Sequence, residues 1–194
     1  GIGAIDLVVV NLYPFAQTVA RGADRDEVIE NIDIGGPSMV RSAAKNHVFV
    51  AIVTDPADYP ELIEALDSAY GMTSIGLRKR LASKAFAATA AYDAMIASWF
   101  AFADQGQLFP DMLPVTMRKS ETLRYGENPH QQAALYLPDG PHGRGIAQAQ
   151  QVQGKELSYN NYNDADAALE LVTEYRDSGP VCVASRARVG GVPP

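Results

Sequence analysis

The sequence is poor in cysteine and in positive charge, and each shortage narrows what the protein can be. Only one cysteine, Cys182, occurs in 194 residues, so the chain cannot form an internal disulfide. Because free cysteine is among the most buried residue types, the apolar stretch PVCVA around Cys182 predicts a core position. A chain without internal disulfides is typical of a reducing compartment, and we therefore expect the cytoplasm.

Positive charge is scarce as well, with 16 Lys and Arg against 23 Asp and Glu and a net charge of −7. An acidic surface disfavours binding to nucleic acid or to anionic membranes, because both attract basic proteins. Uninterrupted apolar runs are also far shorter than the roughly 18 residues of a membrane-spanning helix. The opening stretch GIGAIDLVVV has no basic leader and does not predict a signal peptide. We therefore expect a soluble protein that binds neither nucleic acid nor membrane.

What is present is the composition and patterning of an α/β protein. Apolar residues make up 47% and charged residues 20% of the chain, as in ordinary globular proteins. The apolar runs at residues 5–10 and 47–53 predict strands buried on both faces, as in a parallel sheet. Helical patterns alternate with these runs, and this order favours a doubly wound parallel sheet.

The helical segments carry recognisable start signals. Asp24 stands at N-cap spacing from Glu27, and Pro37 is well placed to begin a helix over residues 38–46. An Asp-Pro pair at residues 55–56 begins another helix, and residues 76–104 keep the apolar spacing of a long one. The predicted apolar face of that long helix comprises Leu77, Leu81, Ala85, Ala88, Tyr92, Ile96 and Phe100.

The stretch DQGQLFPDMLP is rich in turn formers and marks a domain boundary. After it, VTMRKSETL and AALYL predict strands, and SYNNYNDADAALELVTEY predicts a helix capped at Asn163 or Asp164. PVCVA predicts a further strand. Because the chain opens almost directly on an interior strand, we expect it to be a fragment of a longer protein.

Three stretches of the first half offer polar groups to a ligand. Ligands of open parallel sheets bind at the carboxyl ends of the strands. The stretch NLYPF follows the first strand, so Asn11 and Tyr13 can contact a ligand there. The alternative is that NLYPF is only a polar turn. The glycine pair before the next helix exposes backbone N–H groups that suit an anion, with Asp33 as a cap or a ligand-orienting carboxylate. Lys45, near the far end of that helix, either complements the helix dipole or transfers protons, and the second role requires the Asp33 loop to double back. His47 is interpreted as structural.

The stretch LRYGENPHQQAALY holds the densest mixture of polar groups. The Arg124 guanidinium suits a carboxamide, carboxylate or phosphate, and Tyr125 can hydrogen-bond or stack. A tight turn at Gly126 and Pro129 is expected to bring Arg124 and His130 together. The alternative is a simple connecting turn with a surface ion pair.

Four stretches, in this order and spacing, resemble one family: VVVNLYPF, IDIGGPSMVRSAAKNH, LRYGENPHQQAALY and GKELSYNNYND. The family is the bifunctional AICAR transformylase/IMP cyclohydrolase of de novo purine synthesis, in a bacterial-looking form, and the resemblance covers roughly residues 1–183. It implies part of a methylglyoxal-synthase-like parallel-sheet domain over residues 1–112. It also implies the start of a cytidine-deaminase-like transformylase domain over residues 113–194.

The resemblance implies roles for individual residues. In the cyclohydrolase site it makes Lys45 the proton-transfer residue, with Asp33 and Tyr13 beside it in catalysis. It makes Val10, Asn11 and Ile34 nucleotide-binding. In the transformylase it assigns AICAR binding to Arg124 and Tyr125, with His130 in the same motif.

The implied reactions are formyl transfer from 10-formyltetrahydrofolate to AICAR and cyclisation of formyl-AICAR to IMP. The resemblance also implies a homodimer and no metal requirement. The sequence departs from the family after Val183, where ASRARVGGVPP stands in place of a stretch with a catalytic Lys-His pair. The Lys-Thr phosphate loop of the family is missing too. The alternative is therefore a truncated, non-catalytic remnant that binds nucleotide weakly or assembles with a partner.

Overall fold

The structure is a computed structural model that describes residues 1, 3–138 and 145–175. The chain divides into two compact units, the first over Gly1–Val115 and the second beginning at Thr116. The predicted strand around Cys182 and the stretch after Val183 lie outside the described residues. The assignment of residues 1–112 and 113–194 to the two implied domains stays a prediction.

The first unit is a small parallel sheet with helices packed on it, which confirms the α/β class in this coarse form. Strand β1 pairs in parallel with β2, with Val8 opposite Ile52. Its elements, in chain order, are β1 Leu7–Val9, α1 Phe15–Ala20, α2 Arg25–Glu30, α3 Gly35–Lys45, β2 Ala51–Val53, a 3₁₀ turn Pro56–Asp58, α4 Tyr59–Ser68 and α5 Ile75–Ser98.

The core lies between β2, α3 and α5. Val40 of α3, Ile52 of β2 and Ala85 of α5 are buried in one cluster, on which Val8 and Val10 pack. All three residues of β2 are buried, as predicted. The prediction for β1 was wrong on one face, because Leu7 and Val9 are 39% and 46% exposed. An apolar run therefore marks a strand here without showing how many of its faces are covered.

Local hydrogen bonds move several predicted boundaries. Helix α2 is capped by Asp24, whose side chain accepts the Glu27 N–H, as predicted. Helix α3 begins at Gly35 and not at residue 38, because Asp33 accepts a hydrogen bond from the backbone of the first turn. Strand β2 begins only at Ala51, since the residues before it form a turn. The guanidinium of Arg78 donates to the His47 and Val48 carbonyls of that turn.

Helix α5 confirms the long helix of the prediction and ends in a π-helical segment, Trp99–Asp104. Of its predicted apolar face, Leu81, Ala85 and Tyr92 are buried. The sequence has no uninterrupted apolar run of spanning length, but Ile75–Asp104 is long and apolar enough to cross a membrane by length and composition, with a mean hydropathy of 1.2. Many of its charged residues lie near its start, and the rest of the helix is rich in alanine. One such helix is weak evidence, because helices of soluble proteins satisfy the same criterion.

The second unit contains an antiparallel strand pair and a helix. Its elements are β3 Met117–Thr122, β4 Ala134–Pro138, a 3₁₀ turn Ile146–Gln148 and α6 Tyr159–Thr173. Helix α6 starts earlier than predicted, and its cap is neither Asn163 nor Asp164. Ser158 and Asn161 form a reciprocal capping box that fixes the start of the helix.

Candidate functional site

The first candidate site lies where β1 and β2 end at the same edge of the sheet. The Val10 N–H donates to the Val53 carbonyl at 3.0 Å, and this bond extends the strand pairing to the edge. The half-buried Val10 side chain packs against the core cluster. Asn11 follows and donates from Nδ2 to the Tyr59 hydroxyl at 3.3 Å. Tyr59 thus fixes which end of the Asn11 amide is left to face a ligand, a contact that the sequence did not indicate.

The Asp33 turn, residues 31–36, lies beside the segment after β1. Asp33 Oδ1 accepts the Gly36 N–H at 2.7 Å, and Oδ2 accepts the Tyr13 N–H at 3.3 Å. The Asp33 carboxylate therefore already occupies the positive N-terminus of α3, where the sequence suggested an anion site. A ligand anion at this place would compete with Asp33. The close approach requires glycine, because a Cβ on Gly36 would lie 2.4 Å from Asp33 Oδ2.

Tyr92 holds the Asp33 turn from the helix behind it. The Asp33 N–H donates to the Tyr92 hydroxyl at 2.8 Å, and that hydroxyl donates to the Asn31 carbonyl at 3.2 Å. Tyr92 is 5% exposed, and its burial raises the pKa of the phenol while the bond from Asp33 opposes that change. The sequence pattern predicted Tyr92 on the apolar face of α5 without a polar role. A buried tyrosine hydroxyl usually finds a partner, and this was the signal that could have indicated the contact.

Ile34 and Lys45 stand at opposite ends of α3. Ile34 is 77% exposed beside Asp33. Lys45 is exposed in the last turn and has no hydrogen-bond or ion-pair partner among the described residues. The 11 residues of α3 separate the two ends by about 15 Å. Tyr13 and Asp33 are joined by a hydrogen bond at the start of α3, whereas Lys45 lies in its last turn. His47 Nδ1 lies 3.1 Å from the Ala44 carbonyl, in line with the structural role predicted for it.

A cluster of charged side chains lies after β2. Lys84 Nζ is 2.8 Å from Asp55 Oδ2 and 2.8 Å from Asp58 Oδ2. Partial burial lowers the pKa of Lys84, but the hydrogen bonds to the two carboxylates outweigh it and raise the pKa above its ordinary value. Lys84 is therefore held as a cation and does not offer a free amine for proton abstraction.

The second candidate site is the Arg124 turn, residues 124–131, in the second unit. The Gly126 N–H donates to the Gln131 carbonyl at 2.9 Å and closes the turn. Residues before α6 hold it from the other side, since the Arg124 N–H donates to the Leu157 carbonyl at 3.0 Å and the Tyr159 N–H to the Tyr125 carbonyl at 3.1 Å. Main-chain hydrogen bonds thus join two of the stretches that the sequence had marked separately.

Arg124 and Tyr125 form a pair at the start of this turn. The Arg124 guanidinium lies 4.9 Å from the centre of the Tyr125 ring, and its Nη2 donates to the Tyr125 hydroxyl at 3.3 Å. Hydrogen bonds from Ser158 and then from Arg124 lower the pKa of Tyr125. His130 is exposed. Within the described residues no hydrogen bond joins it to Arg124, and the expected approach of the two side chains stays a prediction.

An open groove of about 470 Å³ runs beside the Arg124 turn and is lined by Gly126, Glu127, Gln131, Gln132, Ala133 and Tyr159. Its amides and its tyrosine ring suit a planar polar ligand. Across residues 1, 3–138 and 145–175 there is no group of three side chains that could hold a metal ion.

Comparison with known proteins shows which family this chain resembles. The family model described as AICARFT/IMPCHase bienzyme matches residues 43–192. The bifunctional purine biosynthesis protein PurH of Roseobacter denitrificans is 59% identical over 94% of this chain and 34% of its own length. That of Ruegeria sp. is 55% identical over 99% of this chain and 36% of its own length. A solved structure, the crystal structure of ForH, is 38% identical over 51% of this chain and 52% of that chain, with a TM-score of 0.43. The chain thus spans about a third of the length of the curated relatives it matches.

Proposed function

The chain belongs to the AICARFT/IMPCHase bienzyme family, and from this we propose that it is part of an enzyme for the last two steps of IMP synthesis. In the first step, the 5-amino group of AICAR takes a formyl group from 10-formyltetrahydrofolate. In the second, formyl-AICAR closes to IMP with loss of water. The observation that carries the proposal is the family match over three quarters of the chain, together with the cluster of Asn11, Tyr13 and Asp33 at the edge of the sheet.

We propose that the first unit holds the nucleotide for ring closure. The carboxamide nitrogen attacks the formyl carbon, and the formyl oxygen leaves as water with one proton from the carboxamide nitrogen and one from the formamido nitrogen. The step therefore needs a fixed pose and proton transfers, and no redox partner. Asn11, its amide oriented by Tyr59, and the exposed Ile34 would contact the nucleotide together with the Val10 main chain. Tyr13 and Asp33, joined by a hydrogen bond, would orient the reacting groups.

Lys45 is proposed as the group that gives a proton to the departing oxygen. Its exposure and its lack of a partner among the described residues support this role, because a paired lysine would first have to break an ion pair. Its position at the far end of α3 means that the bound nucleotide has to span the helix, or that Lys45 serves the site of a second copy. The second arrangement fits the homodimer that we propose.

The second unit is proposed to begin the transformylase. Arg124 and Tyr125 would bind AICAR through the guanidinium fork and the phenol, and His130 would support them from the same turn. The folate co-substrate would need parts of the enzyme beyond this chain, since the chain spans about a third of its relatives. We place the enzyme in the cytoplasm and propose no metal requirement.

The test is IMP formation from formyl-AICAR by the purified chain, followed by absorbance. We expect Lys45→Ala to lower the rate about a hundredfold, in the range of a lost proton-transfer group. Lys79→Ala is the matched control, because Lys79 is an exposed lysine on α5. No turnover by the unmodified chain would favour the alternative, a non-catalytic remnant that at most binds nucleotide. Equal rates for Lys45→Ala and Lys79→Ala would remove Lys45 from the mechanism.

A further inference from the structure

We infer that Tyr92 is a positioning residue of the proposed nucleotide site, and that it acts by holding the backbone of Asp33 in place. This inference rests on the proposed function, since it concerns the same site. Tyr92 comes from the middle of α5, 59 residues from Asp33 along the chain. None of the four stretches that resemble the family includes it.

The geometry gives Tyr92 two contacts on the same turn. Its hydroxyl accepts the Asp33 N–H at 2.8 Å and donates to the Asn31 carbonyl at 3.2 Å. One phenol therefore spans both sides of residue 32 and fixes the direction in which the Asp33 side chain leaves the backbone. The phenol itself cannot shift easily, because its ring is buried and packs edge-on against Phe15 at 6.2 Å.

The effect reaches the proposed site through the Asp33 carboxylate. Its two oxygens accept the N–H groups of Gly36 and Tyr13, at 2.7 Å and 3.3 Å. Tyr13 belongs to the segment after β1, and Gly36 to the first turn of α3. The carboxylate can make both contacts only while its backbone holds this position, so Tyr92 sets the spacing between the two segments. Because Tyr92 lies behind the turn and is buried, we expect it to act without touching the nucleotide.

The experiment compares three forms of the 194-residue chain: unmodified, Tyr92→Phe, and the control Tyr162→Phe. Tyr92→Phe keeps the ring and removes both hydrogen bonds. Tyr162→Phe also removes a tyrosine hydroxyl that is hydrogen-bonded, to Glu121, but in the second unit. Three quantities are measured: the amide proton shift and solvent exchange of Asp33 by NMR, the Kd for IMP, and the urea midpoint.

For Tyr92→Phe we expect an upfield shift of the Asp33 amide proton, about tenfold faster exchange, and a Kd for IMP raised about fivefold, as for the loss of one hydrogen bond. Tyr162→Phe should leave the Asp33 amide and the Kd unchanged. A merely structural tyrosine would lower the urea midpoint and leave the Kd as it was, and that result overturns the inference. An unchanged Asp33 amide in Tyr92→Phe overturns it as well.

The experiment also distinguishes a failure of the proposed function from a failure of the inference about Tyr92. If the unmodified chain does not bind IMP, the proposed function fails, while the Asp33 amide still reports whether Tyr92 holds the turn. If Tyr92→Phe does not fold, the chain is labelled with 3-fluorotyrosine, which keeps the ring but makes each phenol oxygen a poorer acceptor. The Asp33 amide proton should then move upfield, and absence of that change counts against the inference.

Discussion

The two turns that carry the proposed ligand groups are held by different parts of the polypeptide. The Asp33 turn depends on side chains, namely the Asp33 carboxylate and the Tyr92 phenol. The Arg124 turn depends mainly on main-chain bonds, which join Gly126 to Gln131 and residues 124–125 to the segment before α6. The side chains of Gln131 and Asn160 add hydrogen bonds to its backbone. Side-chain contacts disappear with a single substitution, whereas main-chain bonds survive most of them. We therefore expect many substitutions to disturb the Asp33 turn. The Arg124 turn should be disturbed only by substitutions that crowd its backbone or that destabilise the start of α6.

The largest effect on stability is expected at Gly126. A Cβ at this buried position would lie 2.9 Å from Gln131 Cβ, so the backbone of the turn has to move. Overpacking of this kind puts the cost of Gly126→Ala at about 2 kcal/mol in the free energy of unfolding. Urea unfolding followed by circular dichroism measures this free energy. The control is Glu127→Ala, at an exposed neighbouring residue, whose free energy of unfolding should lie within about 0.5 kcal/mol of that of the unmodified chain. Equal values for the two variants would contradict a crowded backbone at Gly126.

A smaller effect is expected from Ser158→Ala, which removes the N-cap of α6. Ser158 is fully buried and its hydroxyl takes part in the capping box with Asn161, so we expect a loss of about 1 kcal/mol. Ser68→Ala is the control, because that hydroxyl bonds only to the carbonyl of Ala65 near the end of α4. The pKa of Tyr125 should also rise, since its bond from Ser158 is lost. A rise in pKa without loss of stability would separate the two roles of Ser158.

Gly35 and Gly36 make a sharper comparison within the Asp33 turn. Alanine is favoured over glycine in a helix by up to about 1 kcal/mol, and a Cβ on Gly35 meets nothing within 4 Å. Gly35→Ala should therefore raise the free energy of unfolding. In Gly36→Ala that gain is offset by the loss of the Asp33 contact, which costs about 1 kcal/mol. We expect urea unfolding to place the two variants about 1 kcal/mol apart, and identical values would mean that Asp33 adds nothing to the helix start.

A pH dependence confined to alkaline solution is expected in the second unit. Burial and the hydrogen bond to Glu121 raise the pKa of Tyr162 to about 12, above the ordinary value of about 10. Because the folded pKa is the higher one, this contribution to stability is fully present below pH 10 and is lost as the pH rises towards 12. In an alkaline titration by ultraviolet absorbance, one tyrosine should ionise last, and Tyr162→Phe should remove that step. A titration with no late step would contradict the Glu121 contact.

The sequence predicted the order of the elements well, because strand and helix patterns differ in period. Except for α1, which was not predicted, the elements from β1 to α5 and the strands β3 and β4 follow from such patterns. The helix starts were less predictable, since Asp33 accepts an N–H of the first turn of α3 and Ser158 caps α6. Proline and asparagine signals inside these segments pointed to later starts. A start depends on which polar side chain reaches the first N–H groups, and several candidates stood in each segment.

The candidate sites were predictable as stretches but not as arrangements. Asn11 and Tyr13 were expected at the edge of the sheet, and the Tyr13 N–H is hydrogen-bonded to the Asp33 carboxylate there. The distance from Asp33 to Lys45 depended on whether a loop turned back, which no local pattern decides. Tyr92 was missed because its ring position fits the apolar face of the long helix, and nothing in the pattern marked the hydroxyl groups of Tyr92 or Tyr59. The roles given to the site residues remain predictions.

The sole tryptophan of the sequence stands where α5 passes into its π-helical end. The ring of Trp99 meets that of Phe15 edge-on at 6.1 Å, and Phe15 in turn packs against Tyr92. Its emission therefore reports on the packing around one unit alone. A fluorescence-detected melt would follow the first unit, while circular dichroism follows both. The protein thus carries its own optical label for telling the unfolding of its two units apart.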